Sequence, residues 1–147
     1  MNFKLQYGED FDENYLKSIM GIDEIVYAED GYVGELKNMV ARYLVDPRQF
    51  VCIEDTESGR LAGYINFIPC TKALYEDIRY QSEHIRDDDI RPQELEPLKQ
   101  TGNDLFIISI ALHPDFKDTD AIKDLSNGWI DYLNRLETSG YPITSIT

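Results

Sequence analysis

Residues 105–136, LFIISIALHPDFKDTDAIKDLSNGWIDYLNRL, carry the groups whose types and spacing best suit chemistry: an apolar run, a short acidic turn and an amphipathic stretch. A strand that passes through a turn into a helix can hold a phosphate-bearing cofactor, because the first N–H groups of a helix have no intrahelical acceptor and its dipole favours an anion there. Asp118 and Asp120 oppose such a ligand, since a carboxylate that close to a phosphate repels it by on the order of 1 kcal/mol even at a high effective dielectric. The same residues have a structural use. Asp118, Thr119 and Asp120 are all good N-cap types, and a negative side chain near a helix N-terminus is worth roughly 0.3–1 kcal/mol, so capping is their favoured role. His84 with Asp87, Asp88 and Asp89 has the right atoms for a metal but matches no calcium loop or zinc spacing, and reads as a solvated acidic run with no metal.

The elements around these residues follow from hydrophobic periodicity. Leu105, Phe106, Ile107, Ile108, Ile110, Ala111 and Leu112 are interrupted only by Ser109, which reads as a strand over 105–112 buried on both faces, closed by Pro114. Ile122, Leu125, Trp129, Tyr132 or Leu133, and Leu136 then recur at spacings of three and four, predicting a helix over 122–136 that lays one face, Trp129 included, on the sheet. Phe3, Leu5 and Tyr7 alternate with polar residues in an opening strand. A helix over 14–27 follows, with Asp10 or Asp12 as its cap, and a second over 33–44. Strand-like runs at 49–54 and 61–68 flank Asp-Thr-Glu-Ser-Gly-Arg, the chemistry of a hairpin loop, so they are expected to pair antiparallel. Residues 70–103 form a polar excursion with a short helix near 72–80 and an irregular surface segment beyond it; 143–147 alternate again as a strand.

The 147 residues, 42% of them hydrophobic, fit one α/β domain, 1–147, with a single sizeable core. A net charge of −14 excludes surfaces built to bind DNA, RNA or anionic lipid, which need concentrated Lys and Arg; a cationic or neutral amine suits it better. No run is long enough to span a bilayer and the N-terminus lacks a signal peptide's pattern, so a cytoplasmic location is expected. Cys52 and Cys70 then read as buried reduced thiols.

The stretch Ile110-Ala111-Leu112-His113-Pro114-Asp115-Phe116-Lys117 resembles the acyl-coenzyme A core of the GCN5-related N-acetyltransferase superfamily, where a buried strand ends in a His/Ala-Pro-x-aromatic-Arg/Lys turn before the cofactor helix. The order strand, helix, helix, strand, strand, excursion, strand, helix, strand matches that fold over almost the whole chain. The resemblance implies a mixed central sheet flanked by helices and acyl transfer from acetyl-CoA, as cosubstrate, to a small-molecule or protein amine. It implies that backbone N–H groups at Ile110, Ala111 and Leu112 meet the thioester carbonyl. It places the coenzyme's pyrophosphate at Lys117, Asp118, Thr119, Asp120, Ala121 and Ile122. It also points to the segment between the first two helices for the acceptor, where Tyr27, Glu29, Asp30 and Tyr32 combine aromatic walls with carboxylates suited to a cationic amine.

This chain departs from the family at two places. The usual glycine-rich turn is missing, since Asp120 stands for the first glycine and Ile122 for the second small residue. The family's further helix and strands after the fifth strand have no counterpart here, so a shortened or truncated chain is expected, and a homodimer is one way to cover the last strand's edge. No residue on the 105–112 run offers a catalytic base, and Asp104 lies only at its start. The alternative to an enzyme is a catalytically degenerate binding or dimerisation module of the same fold.

Overall fold

Alternating apolar residues and a turn rich in Asp, Ser and Gly build three strands, β1 (Phe3–Tyr7), β2 (Phe50–Asp55) and β3 (Leu61–Pro69). The computed structural model, which describes residues 2–27, 35–81 and 90–147, pairs these three antiparallel. It adds β4 (Asn103–Leu112) antiparallel to β3 and β5 (Ile143–Ile146) parallel to β4, giving the order β1-β2-β3-β4-β5. In the β2–β3 loop the Asp55 carboxylate accepts from Ser58 Oγ at 2.6 Å, and Gly59 takes a positive φ of 72° that favours glycine.

The helices are α1 (Glu13–Val26), α2 (Leu36–Tyr43), α3 (Lys72–Gln81) and α4 (Ala121–Thr138). Of the two caps the sequence allows for α1, Asp12 serves: its side chain accepts from the Tyr15 N–H at 2.8 Å. The second helix starts later than its periodicity suggests, because Glu35 is extended and acts as its N-cap residue. Side chains alternate across the sheet with period two. Phe50, Cys52, Tyr64 and Ala111 pack under α1 and α2. Val51, Ile53, Ile65 and Leu105 pack under α4 against Leu125 and Leu136, and Trp129 lies half-buried there, edge-on to Phe67 at 5.9 Å. Cys52 and Cys70 are free and buried.

Two expectations are corrected. The β4 run is not buried on both faces: Phe106, Ile107, Ile108 and Ser109 are only half-buried, and Ile110 is 44% exposed. β5 runs beside β4 as far as Ile107, and above that point the described residues place a strand on one side of β4 alone. The excursion is also less superficial than its polarity suggests, for Ile90, Leu95 and Leu98 are buried. Asp46 draws it in, accepting from the Leu98 N–H at 2.9 Å while paired with Arg48 at 2.8 Å. His84 and Asp87, Asp88 and Asp89 lie outside the described residues.

Candidate active site

An acidic residue interrupts the apolar stripe of α1. Leu16, Ile19 and Met20 are buried, and one turn further on the same face carries Asp23, then Tyr27. Opposite them a register shift in β4 matters: Asn66 pairs with Ser109 but Phe67 with Ile107, leaving Ile108 as an extra residue. Such a bulge re-aims the side chains beyond it. Ser109 and Ala111 thereby face α1, beside Tyr64 of β3.

These residues form a connected chain of polar groups. The Tyr64 hydroxyl donates to the Asp23 carboxylate in a short hydrogen bond and lies 2.9 Å from Ser109 Oγ. Ser109 Oγ is 3.3 Å from the Tyr27 hydroxyl, which donates to the Ile110 carbonyl at 3.1 Å. Burial pushes the Asp23 carboxyl up to about 6, against the opposing pull of the Tyr64 hydrogen bond and the positive charge of Arg42; burial also raises the Tyr64 phenol. A carboxylate tuned near neutrality and linked through hydroxyls to an open strand edge can take up a proton released there. The exposed edge, residues 108–112, also offers backbone amide groups with which an extended, amide-bearing ligand can pair as an added strand.

In the turn after β4 part of the backbone is committed to local hydrogen bonds. The N–H groups of Phe116, Lys117 and Thr119 donate to the carbonyls of His113, Pro114 and Phe116. The Asp115 N–H donates to His113 Nδ1 at 3.1 Å, and the Ala121 N–H to Thr119 Oγ1 at 3.2 Å. Capping therefore falls to Thr119. Asp120 occupies the N-cap position but its side chain makes no capping hydrogen bond, which corrects the role expected for it. Arg60 from the β2–β3 loop reaches the turn and pairs with Asp115 at 2.8 Å. At the start of α4 the N–H groups of Asp118, Asp120, Ile122 and Lys123 have no acceptor among the described residues, so an anion there would meet free donors beside the carboxylates of Asp118 and Asp120.

Of the residues the sequence singled out, Tyr27 and Ile110 come together in a direct hydrogen bond, with Ala111 and Leu112 next along the strand. Lys117 to Ile122 lie in the turn and first helical residues, and Ile122 is 42% exposed. Glu29, Asp30 and Tyr32 lie outside the described residues. Sequence reasoning missed Asp23 and Tyr64. The signal for Asp23 was present, a carboxylate on the buried stripe of a helix, and Ser109 was visible as the one polar break in its run. Among the described residues no cluster could hold a metal ion, and no helix is long and apolar enough to cross a membrane.

No family model and no curated protein matches the sequence. Solved structures do match. The loading GNATL domain of CurA from Lyngbya majuscula superposes with a TM-score of 0.66 at 11% identity, covering 100% of this chain and 65% of that one. A possible acetyltransferase from Clostridium difficile 630 gives a TM-score of 0.58 at 12% identity, over 99% of this chain and 78% of its own. The GphF GNAT-like decarboxylase, solved in complex with isobutyryl-CoA, gives 0.60 at 10% identity over 88% of this chain and 58% of its own. The chain has the fold of the GCN5-related N-acetyltransferases, and it spans just under two thirds of the length of the first of these neighbours.

Proposed function

We propose that the chain is an acyl-thioester-dependent N-acyltransferase that moves an acetyl group, from acetyl-CoA or a related thioester, to the amine of a small molecule or protein. The observation that carries this reading is the polar chain from Asp23 through Tyr64 and Ser109 to Tyr27, which ends on Ile110 at the open edge of an acetyltransferase-type sheet. Backbone N–H groups along 110–112 would polarise the thioester carbonyl. As the amine nitrogen bonds to that carbon and the carbon–sulfur bond breaks, the amine proton passes to Ser109 as the Ser109 proton moves to Tyr64 and the Tyr64 proton to Asp23. The leaving thiolate takes its proton from solvent. Tyr27 would form one wall of the acceptor's entrance, and the cytoplasm, rich in both amines and acyl thioesters, is the compartment this activity suits.

The reading is tested by thiol release from acetyl-CoA in the presence of a panel of polyamines, amino acids and peptides. Amine-dependent thiol release with formation of the acetylated amine is the expected result. Thioester binding without transfer to any acceptor would favour the non-catalytic binding module, which the altered turn otherwise recommends.

A further inference from the structure

The His113 N–H donates to the Ala62 carbonyl at 2.7 Å, and two residues back along the register Ala111 pairs with Tyr64. By the alternation of an antiparallel ladder Ala111 therefore turns its backbone groups to β3, while Ile110 and Leu112 turn theirs away from it. The Ile110 carbonyl faces the side of β4 where the described residues place no strand, and there the Tyr27 hydroxyl already donates to it at 3.1 Å. We infer that Tyr27 is a latch on the β4 edge, its hydroxyl holding the Ile110 carbonyl until the acyl donor claims that carbonyl for an amide N–H of its own. This rests on the proposed function, which lays the donor along the same edge, and adds the residue that controls when the edge is available.

Latch and donor exclude one another by geometry. A backbone paired with β4 would lie about 4.8 Å from it, and the Tyr27 oxygen stands closer than that to the Ile110 oxygen. Release asks nothing of the main chain, because Tyr27 is the C-cap residue of α1 and reaches the strand through its side chain alone. A rotamer change frees the carbonyl, and such changes are fast beside binding. The released hydroxyl keeps a partner, since Ser109 Oγ lies 3.3 Å away. What is given up is a single hydrogen bond between neutral groups, so the latch is weak. Ser109 is also where the amine proton enters the polar chain, and seating of the donor thus returns the Tyr27 hydroxyl to the point at which the acceptor reacts.

Calorimetric titration of the full chain and of Tyr27→Phe tests the latch, with acetyl-CoA and with S-acetyl-pantetheine, which carries the thioester arm without the nucleotide. Tyr27→Phe should bind both thioesters about fivefold more tightly than wild type, because the variant has no hydrogen bond to surrender on binding. Ser109→Ala leaves the Ile110 contact in place and should stay within about twofold of wild type for both. Thermal melts confirm that the variants, each lacking one oxygen, are folded. Equal or weaker donor binding by Tyr27→Phe, or the same gain in Ser109→Ala, overturns the inference and leaves the proposed function standing. Failure of wild type and variants alike to bind either thioester overturns the two together.

Discussion

Asp23→Asn is expected to lower the rate of acyl transfer by about 10²-fold or more while raising the thermal midpoint of the protein. The first effect follows from removing the terminal proton acceptor. The second follows from linkage: the Asp23 carboxyl is raised from 3.8 to about 6 in the folded chain, mainly by burial. Between those values the folded state binds more protons than the unfolded state, so this contribution to stability is full below about pH 4 and is lost as pH rises through about 6. An uncharged Asn carries no such penalty. The shift would correspond to at most roughly 3 kcal/mol, and partial hydration reduces this to about 1 kcal/mol, or about 2–4 °C in melting temperature. The acid limb of kcat/KM near pH 6 should vanish in the variant. Tyr64→Phe breaks the same relay, so it should lower the rate about as far as Asp23→Asn, and by removing the hydrogen bond that lowers the Asp23 carboxyl it should raise that group's titration further. Full activity in Asp23→Asn, or a lower melting temperature at neutral pH, would remove Asp23 from the mechanism.

Gly63→Ala should damage both stability and donor binding. A Cβ at Gly63 would stand 2.8 Å from the Ala111 carbonyl oxygen and 3.0 Å from Leu112 Cδ1, so β3 and β4 must separate where the candidate donor residues lie. Overpacking of this kind costs about 1–3 kcal/mol. Donor affinity should fall about tenfold with it, as the strand edge shifts away from its working position. Gly21→Ala is the control, because nothing lies within 4 Å of the added carbon and the change sits inside α1. It should stabilise the chain by roughly 0.5–1 kcal/mol with donor binding unchanged. Urea melts and calorimetry on the two variants decide the matter; equal donor affinity in Gly63→Ala and wild type would mean that the β4 edge is not the binding surface.

Periodicity made most of the fold legible. The spacing of Ile122, Leu125, Trp129 and Leu136 located α4 to within two residues at each end, and the alternation at 143–147 located β5. What it could not reveal was the exposure of Ile110, since an apolar run says nothing about how far a neighbouring strand extends alongside it. The bulge at Ile108 was equally invisible. It decides that Ser109 faces α1, and with that residue the polar chain to Asp23 comes into being. Likewise Asp120 had the composition of a cap, yet Thr119 took the role because local backbone geometry, beyond residue preference, selects the capping group.

Amide chemical-shift mapping with S-acetyl-pantetheine tests most directly whether the acyl donor lies along the upper edge of β4. The largest shifts should fall at residues 108–112 and at Tyr27, where the described residues place no strand beside β4 and the polar chain emerges. Shifts concentrated instead in the groove between α4 and β5, lined by Ile130, Leu133, Ile143 and Ile146, with residues 108–112 unmoved, would contradict it.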